Sequence, residues 1–261
     1  MNRINISGLL IIILAVVGCN SFPSKDGDPT PVNNYQVQGT LVRDLSNNTL
    51  SSVVKFKKNN VADSLSTIKL NNDTLFYSAT SGLVDSSYSF SASASSFLTG
   101  AYSLNFSGAE QLNQSISVTL LDTFSISSII PPIGIWIPGD GNMQLVWTAV
   151  ANAEGYVMAV VKRTDIYSGS GYNAYISVES GPSGSVPPDA FYDNGVNNLI
   201  PGMYNIYIYA YTGSPEKTMA DMLLPTPFPT QLSSNISLLG FSGNFGTVTV
   251  SYMDSIEVIA N

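Results

Sequence analysis

Cysteine carries the most reactive side chain in this sequence, and it occurs once, at Cys19. A thiolate can be acylated, bind a metal or form a disulfide, but a single cysteine has no disulfide partner within the chain. Residues 8–17, shortly before it, are all apolar apart from a leading glycine. We therefore expect the chemistry at Cys19 to concern export and anchoring.

Histidine is absent from the 261 residues. That absence excludes a Ser-His-Asp triad, an imidazole base and histidine metal ligands. Asp140, Asn142, Asp189 and residues 193–195 could supply calcium oxygens, but they lack the spacing and closing Glu of an EF-hand loop, and Asp or Asn beside Gly is typical of turns. We predict no metal, no other cofactor and no enzymatic activity. The enzymatic alternative is a pair of glycosidase carboxylates, which needs no sequence motif.

The first residues have the parts of a secretory signal peptide. Arg3 supplies a positive charge, and residues 8–17 form an apolar run too short to span a bilayer comfortably. Residues 16–19 (VVGC) resemble the lipobox of bacterial lipoproteins. That resemblance implies cleavage before Cys19, a lipid on its sulfur and, usually, an acylated new amine. The alternative is an ordinary secretory signal that happens to end at a cysteine.

The expected product is anchored by lipid and does not span the membrane. Residues 1–18 are predicted to be the signal peptide, and residues 19–34 a lipidated flexible tether, because residues 20–31 are rich in Pro, Gly, Ser and Asp without an apolar period. Two or three acyl chains hold a protein stably on a membrane. An inner-membrane retention signal has Asp directly after the cysteine, and this chain has Asn20 there, so we expect the bacterial outer membrane. The side of that membrane that the protein faces is left open.

The charge balance limits the possible partners. The chain has 10 Lys and Arg against 18 Asp and Glu, a net charge of −8, and 11% charged residues. A nucleic-acid partner is excluded because phosphate contacts need Lys and Arg. Extended disorder and a soluble coiled coil need far more charge. The remaining partners are the membrane, through the lipid, and an envelope protein or a glycan.

From Tyr35 onward, short segments alternate apolar and polar residues with period two and are separated by Asn- and Gly-rich turns. The clearest segments are 35–42, 53–57, 66–70, 88–92, 102–106 and 116–120. This spacing is typical of antiparallel sandwiches. We predict an immunoglobulin-like β-sandwich domain over residues 35–130. It ends at Pro131 and Pro132, since paired prolines cannot donate to a ladder.

Residues 131–261 are predicted to form a second β-sandwich domain. Its candidate core resembles that of the fibronectin type III family over about residues 131–212: Leu145, Trp147, Tyr156, Leu199, Tyr204, Ile206 and Ile208. The resemblance implies a Trp on strand B packed against strand C, a tyrosine corner, and a spacer or adhesive use without chemistry. Strand G is expected only at residues 245–252. Residues 213–244 are therefore predicted to be an insertion, with a helical turn at 215–224.

A tyrosine-rich face follows from the parity of the predicted strands. If Tyr204 and every second residue after it face the core, the residues between them and their neighbours on strand C face outward: Tyr207, Tyr209, Tyr211, Val157, Ala159 and Val161. A one-sided sheet should be polar on that face, so this face needs a cover. Either the insertion or the first domain packs on it, or Tyr207, Tyr209 and Tyr211 form an exposed platform for sugar rings or a partner protein.

The sequence thus predicts an all-β, two-domain, lipid-anchored protein of a bacterial cell envelope with a structural or protein-interaction role. The alternative is a carbohydrate-binding envelope lipoprotein, accessory to a glycan-degrading or uptake system. A buried tyrosine face favours the first hypothesis. An exposed one favours the second.

Overall fold

Strands dominate the residues that the computed structural model describes, which are 34–80, 85–109, 112–131, 134–165, 174–192 and 198–260. Within them, the helix α1 covers Lys217–Leu223. No helix in these residues is long and apolar enough to cross a membrane. The predicted all-β class is confirmed.

The strands of the described residues are, in chain order, β1 (Tyr35–Asp44), β2 (Thr49–Lys58), β3 (Val61–Ala62), β4 (Thr67–Leu70), β5 (Asp73–Ser78), β6 (Ser87–Ser93), β7 (Gly100–Ser107), β8 (Asn113–Leu120), β9 (Ile126–Ile130), β10 (Ile135–Trp136), β11 (Met143–Trp147), β12 (Gly155–Lys162), β13 (Ala174–Glu179), β14 (Ser183–Val186), β15 (Gly202–Gly213), β16 (Ile236–Leu238), β17 (Phe241–Val250) and β18 (Asp254–Val258).

The first hydrophobic core lies between two antiparallel ladders. One contains β1, β2 and β6, and the other contains β4, β7 and β8. β5 belongs to both, because its first half pairs with β4 and its second half with β6. Alternation on β2 sends Val54 and Phe56 inward, and Phe56 meets Phe106 of the facing ladder with ring centroids 5.1 Å apart. The period-two pattern in the sequence therefore arises because each strand buries one of its two faces.

The second core has the arrangement that the fibronectin type III resemblance implied. β9, β11 and β14 form one sheet, and β12, β13 and β15 lie on the other side of the core. Trp147 on β11 packs edge-on against Tyr156 of β12, with centroids 5.5 Å apart. The hydroxyl of Tyr204 donates to the backbone oxygen of Ile200 at 2.8 Å, which is a tyrosine corner. Leu199 packs half-buried against this core.

β17 connects the ladder of β1, β2 and β6 in the first core with β15, β12 and β13 beside the second core, in one continuous sheet. It pairs in parallel with β1 along its whole length and antiparallel with β15 at residues 246–250. Ile236, Phe241 and Phe245 consequently belong to the first core, although they lie beyond residue 131. The final strand was expected at 245–252; it is split into β17 and β18, both paired with β15.

Two glycines permit the close contact between β1 and β17. A Cβ on Gly39 would lie 2.8 Å from the backbone oxygen of Val53 and 3.0 Å from the ring of Phe245. Gly243 has a φ of +139°, and a Cβ there would overlap the backbone of Val37. Only glycine fits at residue 243 without moving the backbone of one strand.

The domain boundary at residue 131 stays a prediction. The strand pairing shows that the first core also needs residues beyond that boundary. Residues 34–261 cluster into one compact unit. The first core is completed by residues from the far end of the chain. An isolated segment 35–130 would lack those residues.

Candidate functional site

Cys19, the predicted lipidation site, lies outside the described residues, as do residues 193–195 of the calcium alternative. Asp140 is described, and its carboxylate accepts the backbone N–H of Ile137 at 2.9 Å. Asn142 donates to the hydroxyl of Ser185 at 3.1 Å. The Asp140 side chain thus holds a local turn, and the Asn142 side chain links the start of β11 to β14. No group of three or more His, Cys, Asp or Glu placed to hold a metal occurs in the described part of the chain.

The tyrosine face of β15 is covered from within the chain. Tyr209 is fully buried, Tyr207 is 5% exposed and Tyr211 is half-buried. The cover comes from the segment after β15: Ala220, Leu224 and Phe228, with Leu223 and Leu232 at its margin. Phe228 meets the ring of Tyr211 edge-on at 5.6 Å. The structure therefore agrees with the first of the two interpretations, in which another segment of the chain covers this face.

Burial sets the electrostatics of these tyrosines. Thr226 shares a short hydroxyl–hydroxyl hydrogen bond with Tyr209, and its backbone N–H also donates to the Tyr209 hydroxyl at 3.1 Å. Burial raises the pKa of Tyr209 well above the ordinary value of a phenol. Burial also raises the pKa of Tyr211, with a smaller contribution from Glu154. A neutral phenol is therefore the form that the folded state keeps. A ligand-binding role for these tyrosines stays a hypothesis, and Tyr211 is the member with exposed surface.

The covering segment is held in place by its own polar contacts. Glu216 caps α1 by accepting the backbone N–H of Met219 at 2.9 Å. Asp221 accepts the backbone N–H of Phe228 at 2.6 Å and pairs with Lys217 at 2.8 Å. The backbone N–H of Glu216 donates to Gly39 of β1 at 3.2 Å. The helical turn expected at 215–224 thus exists, and it packs on β1 and β2.

A shallow cleft lies on the outer face of the ladder of β1, β2 and β6. It has a volume of about 370 Å³ and is lined by serines between apolar walls: Ser51, Ser52, Val53, Phe76, Ser89, Phe90, Ser91 and Leu223. Phe76 is 72% exposed. It lies beside Ser89, which in turn lies beside Val53, across β5, β6 and β2.

The cleft offers an aromatic ring next to hydroxyl groups. Ser51 and Ser91 face each other with their oxygens 3.3 Å apart, and Leu223 from α1 closes the side opposite Phe76. Rings stack on the apolar face of a sugar, and serine hydroxyls both donate and accept hydrogen bonds. The alternation at residues 88–92 predicted β6, but sequence reasoning did not find Phe76, because its neighbours Leu75 and Tyr77 are also large and hide the alternation.

No model of a known protein family matches the chain, and no curated protein is similar to it in sequence. Among solved structures, the FN1–FN3 domains of chicken CNTN1 are similar at 10% identity, with a TM-score of 0.30 over 87% of this chain and 65% of that one. A Ca²⁺-stabilized, ice-binding adhesin of an Antarctic bacterium is 11% identical, with a TM-score of 0.23 over 86% of this chain and 49% of that one. The BSP domain of a biofilm associated protein is 14% identical, with a TM-score of 0.23 over 86% and 30%.

The chain spans less than two thirds of the length of each of these solved chains.

Replacing Phe228 with Ala should uncover the tyrosine face and destabilise the protein. Phe228 is buried against Tyr211 and the surrounding apolar cluster, so its loss is expected to cost about 3–5 kcal/mol of unfolding free energy. Urea unfolding followed by circular dichroism measures the change. Tyr252→Ala is the control, because Tyr252 is 56% exposed and its removal should change stability by less than about 0.5 kcal/mol. Equal stability of the two variants would contradict the covering.

Proposed function

We propose that the protein is a non-enzymatic, lipid-anchored protein of a bacterial cell envelope with a structural or protein-interaction role. The anchor is Cys19, in the outer membrane, and residues 20–33 connect it to the fold. The observation that carries the proposal is the shared strand β17, which pairs with the first strand after the tether and also with β15. A fold in which one strand pairs with a strand of each core suits a rigid spacer or a binding module held at a fixed distance from a membrane.

The open edge of β8 supports the protein-interaction part of the proposal. Within the described residues β8 pairs with β7 alone, along all eight of its positions. The hydroxyl of Thr247 on β17 donates to the backbone oxygen of Thr119, so the open part of the edge is the part before residue 119. Asn113–Leu120 carries no charged side chain and no proline, which are the usual protections of an edge. Extended segments of partner proteins commonly bind by adding a strand to such an edge.

Replacing Cys19 with Ala tests the anchor. The variant should no longer incorporate labelled palmitate, and it should move from the membrane fraction to the soluble fraction, because no other thiol is present to carry the lipid. Ser21→Ala, two residues away, should label like the natural protein. Palmitate incorporation by the Cys19→Ala variant would refute the lipobox interpretation.

The second candidate function is carbohydrate binding, and the cleft beside Phe76 favours it. The tyrosine face gives this hypothesis little support, since Tyr207 and Tyr209 are buried. The cleft instead combines an exposed ring with three serines that share its outer face, Ser51, Ser89 and Ser91. A sugar ring stacked on Phe76 would have hydroxyl partners on β2 and β6.

Titration calorimetry with soluble polysaccharides distinguishes the two functions. If the protein binds glycans here, Phe76→Ala should weaken binding by about 1 kcal/mol or more, at least about fivefold in Kd, because the stacking contact is lost. Val178→Ala is a matched control, since Val178 is 53% exposed on β13, in the other half of the fold. Equal Kd values for the two variants would rule out the cleft as a glycan site.

A further inference from the structure

Four exposed aliphatic side chains surround the point at which the chain enters the described fold. Leu239 is 90% exposed, Leu65 85%, Val61 69% and Leu238 50%. They are termed the tether-end patch. Single exposed aliphatic residues are ordinary on protein surfaces, but a group of them at one end indicates a contact surface.

Backbone hydrogen bonds place two turns on either side of the entry point. The N–H of Tyr35 donates to the backbone oxygen of Gly240 at 2.8 Å, and the N–H of Asn59 donates to that of Asn34 at 2.7 Å. The first bond fixes the β16–β17 turn, whose tip is Leu239. The second fixes the β2–β3 turn, after which Val61 pairs with Lys58. The patch therefore lies on both sides of Asn34.

Leu65 belongs to the same end of the fold. Together with Val61 it lines a shallow cleft that also includes Tyr35 and Lys58. β16, β17, β1, β2 and β3 are neighbours in that order, so with strands about 4.8 Å apart the patch extends over roughly 20 Å. A patch of this width is large enough to rest on a flat surface.

The length of the tether indicates what that surface is. Residues 20–33, the predicted tether, separate Cys19 from Asn34. For any chain of this length without fixed structure, the expected end-to-end distance is about 20 Å. An acylated Cys19 would hold the patch this close to the lipid headgroups, so that contact with the bilayer becomes an intramolecular event at high effective concentration.

The charges near the patch are compatible with a headgroup layer. Lys57 lies near the end of β2 beside the entry point, and a lysine stem can lie along apolar surface while its ammonium group reaches phosphates. Asp63 lines the same cleft, but its carboxylate accepts the N–H of Leu65 at 2.9 Å and the hydroxyl of Ser66 at 2.8 Å. The apolar side chains, more than the charges, make this end distinctive.

We propose that the tether-end patch rests on the bilayer, with Leu239 and Leu65 in its interfacial region, an inference that rests on the lipid anchor at Cys19. The opposite end of β1 provides an internal comparison. Arg43 donates to the backbone oxygen of Phe97 at 3.1 Å, so the neighbouring Leu98, 81% exposed, lies at the far end of the strand. Ten residues of strand place it about 30 Å from the patch.

Site-specific labelling of the full lipidated protein tests the proposal. Because acylation consumes the natural thiol, Leu239→Cys, Leu65→Cys and Leu98→Cys each introduce one free cysteine for an environment-sensitive fluorophore. The proteins are reconstituted into vesicles of phosphatidylethanolamine and phosphatidylglycerol, with and without headgroup-linked nitroxide lipids. The first two labels should show a blue-shifted emission and strong quenching by the nitroxide, and the Leu98→Cys label should show neither.

Several results would overturn the inference. Vesicle-bound protein with unquenched, unshifted labels at residues 239 and 65 would retain the anchor and eliminate the membrane contact. A blue shift without nitroxide quenching would mean that the tether or another copy of the chain covers the patch. Protein that carries no acyl chain and does not float with the vesicles would contradict the anchor itself, and the inference with it.

Discussion

The pairing of β17 with both β1 and β15 is the constraint on which the rest of the fold depends. β1 is the first strand after the tether, and β17 lies near the end of the chain, so the structure closes on itself over about 200 positions. The shared strand supplies Phe241 and Phe245 to one core and Val248 and Val250 to the cluster under α1. Loop closure of this length costs conformational entropy before any contact forms. The burial that β17 provides in two places offsets that cost.

Several other features follow from the shared strand. Gly39 and Gly243 are required where β1 and β17 approach each other, and Phe245 packs over Gly39. The segment 214–235 must then lie on the outer face of the sheet, where α1 covers Tyr209 on one side and contacts Val53 of β2 through Met219. The same placement puts Leu223 at the wall of the serine cleft and Leu239 beside the entry of the chain. The candidate glycan site and the proposed membrane contact thus both depend on one strand pairing.

Sequence patterns predicted what depends on local periodicity. Alternation located β1, β2, β4, β6 and β7, and parity identified Tyr207 and Tyr209 as a face that needs a cover. β5 was missed because Leu75, Phe76 and Tyr77 follow one another without alternation. The partner of β17 was missed for a different reason: residues 241–250 fit a last strand of the second core equally well, and strand pairing between distant segments is not encoded in the local pattern. The cleft at Phe76 could not be predicted for the same reason, because it forms only where β5, β6, β2 and α1 come together.

Native-state hydrogen exchange of the Phe245→Ala variant tests the central claim most directly. Phe245 is buried in the first core, and its truncation should cost about 3–5 kcal/mol. If β17 unites the two cores, the amides of β11 and β12 should lose protection by the same free energy as those of β1 and β2. If the amides of β11 and β12 in the variant were protected as in the natural protein, and only those of β1 and β2 lost protection, the two cores would unfold independently. That result would contradict the account.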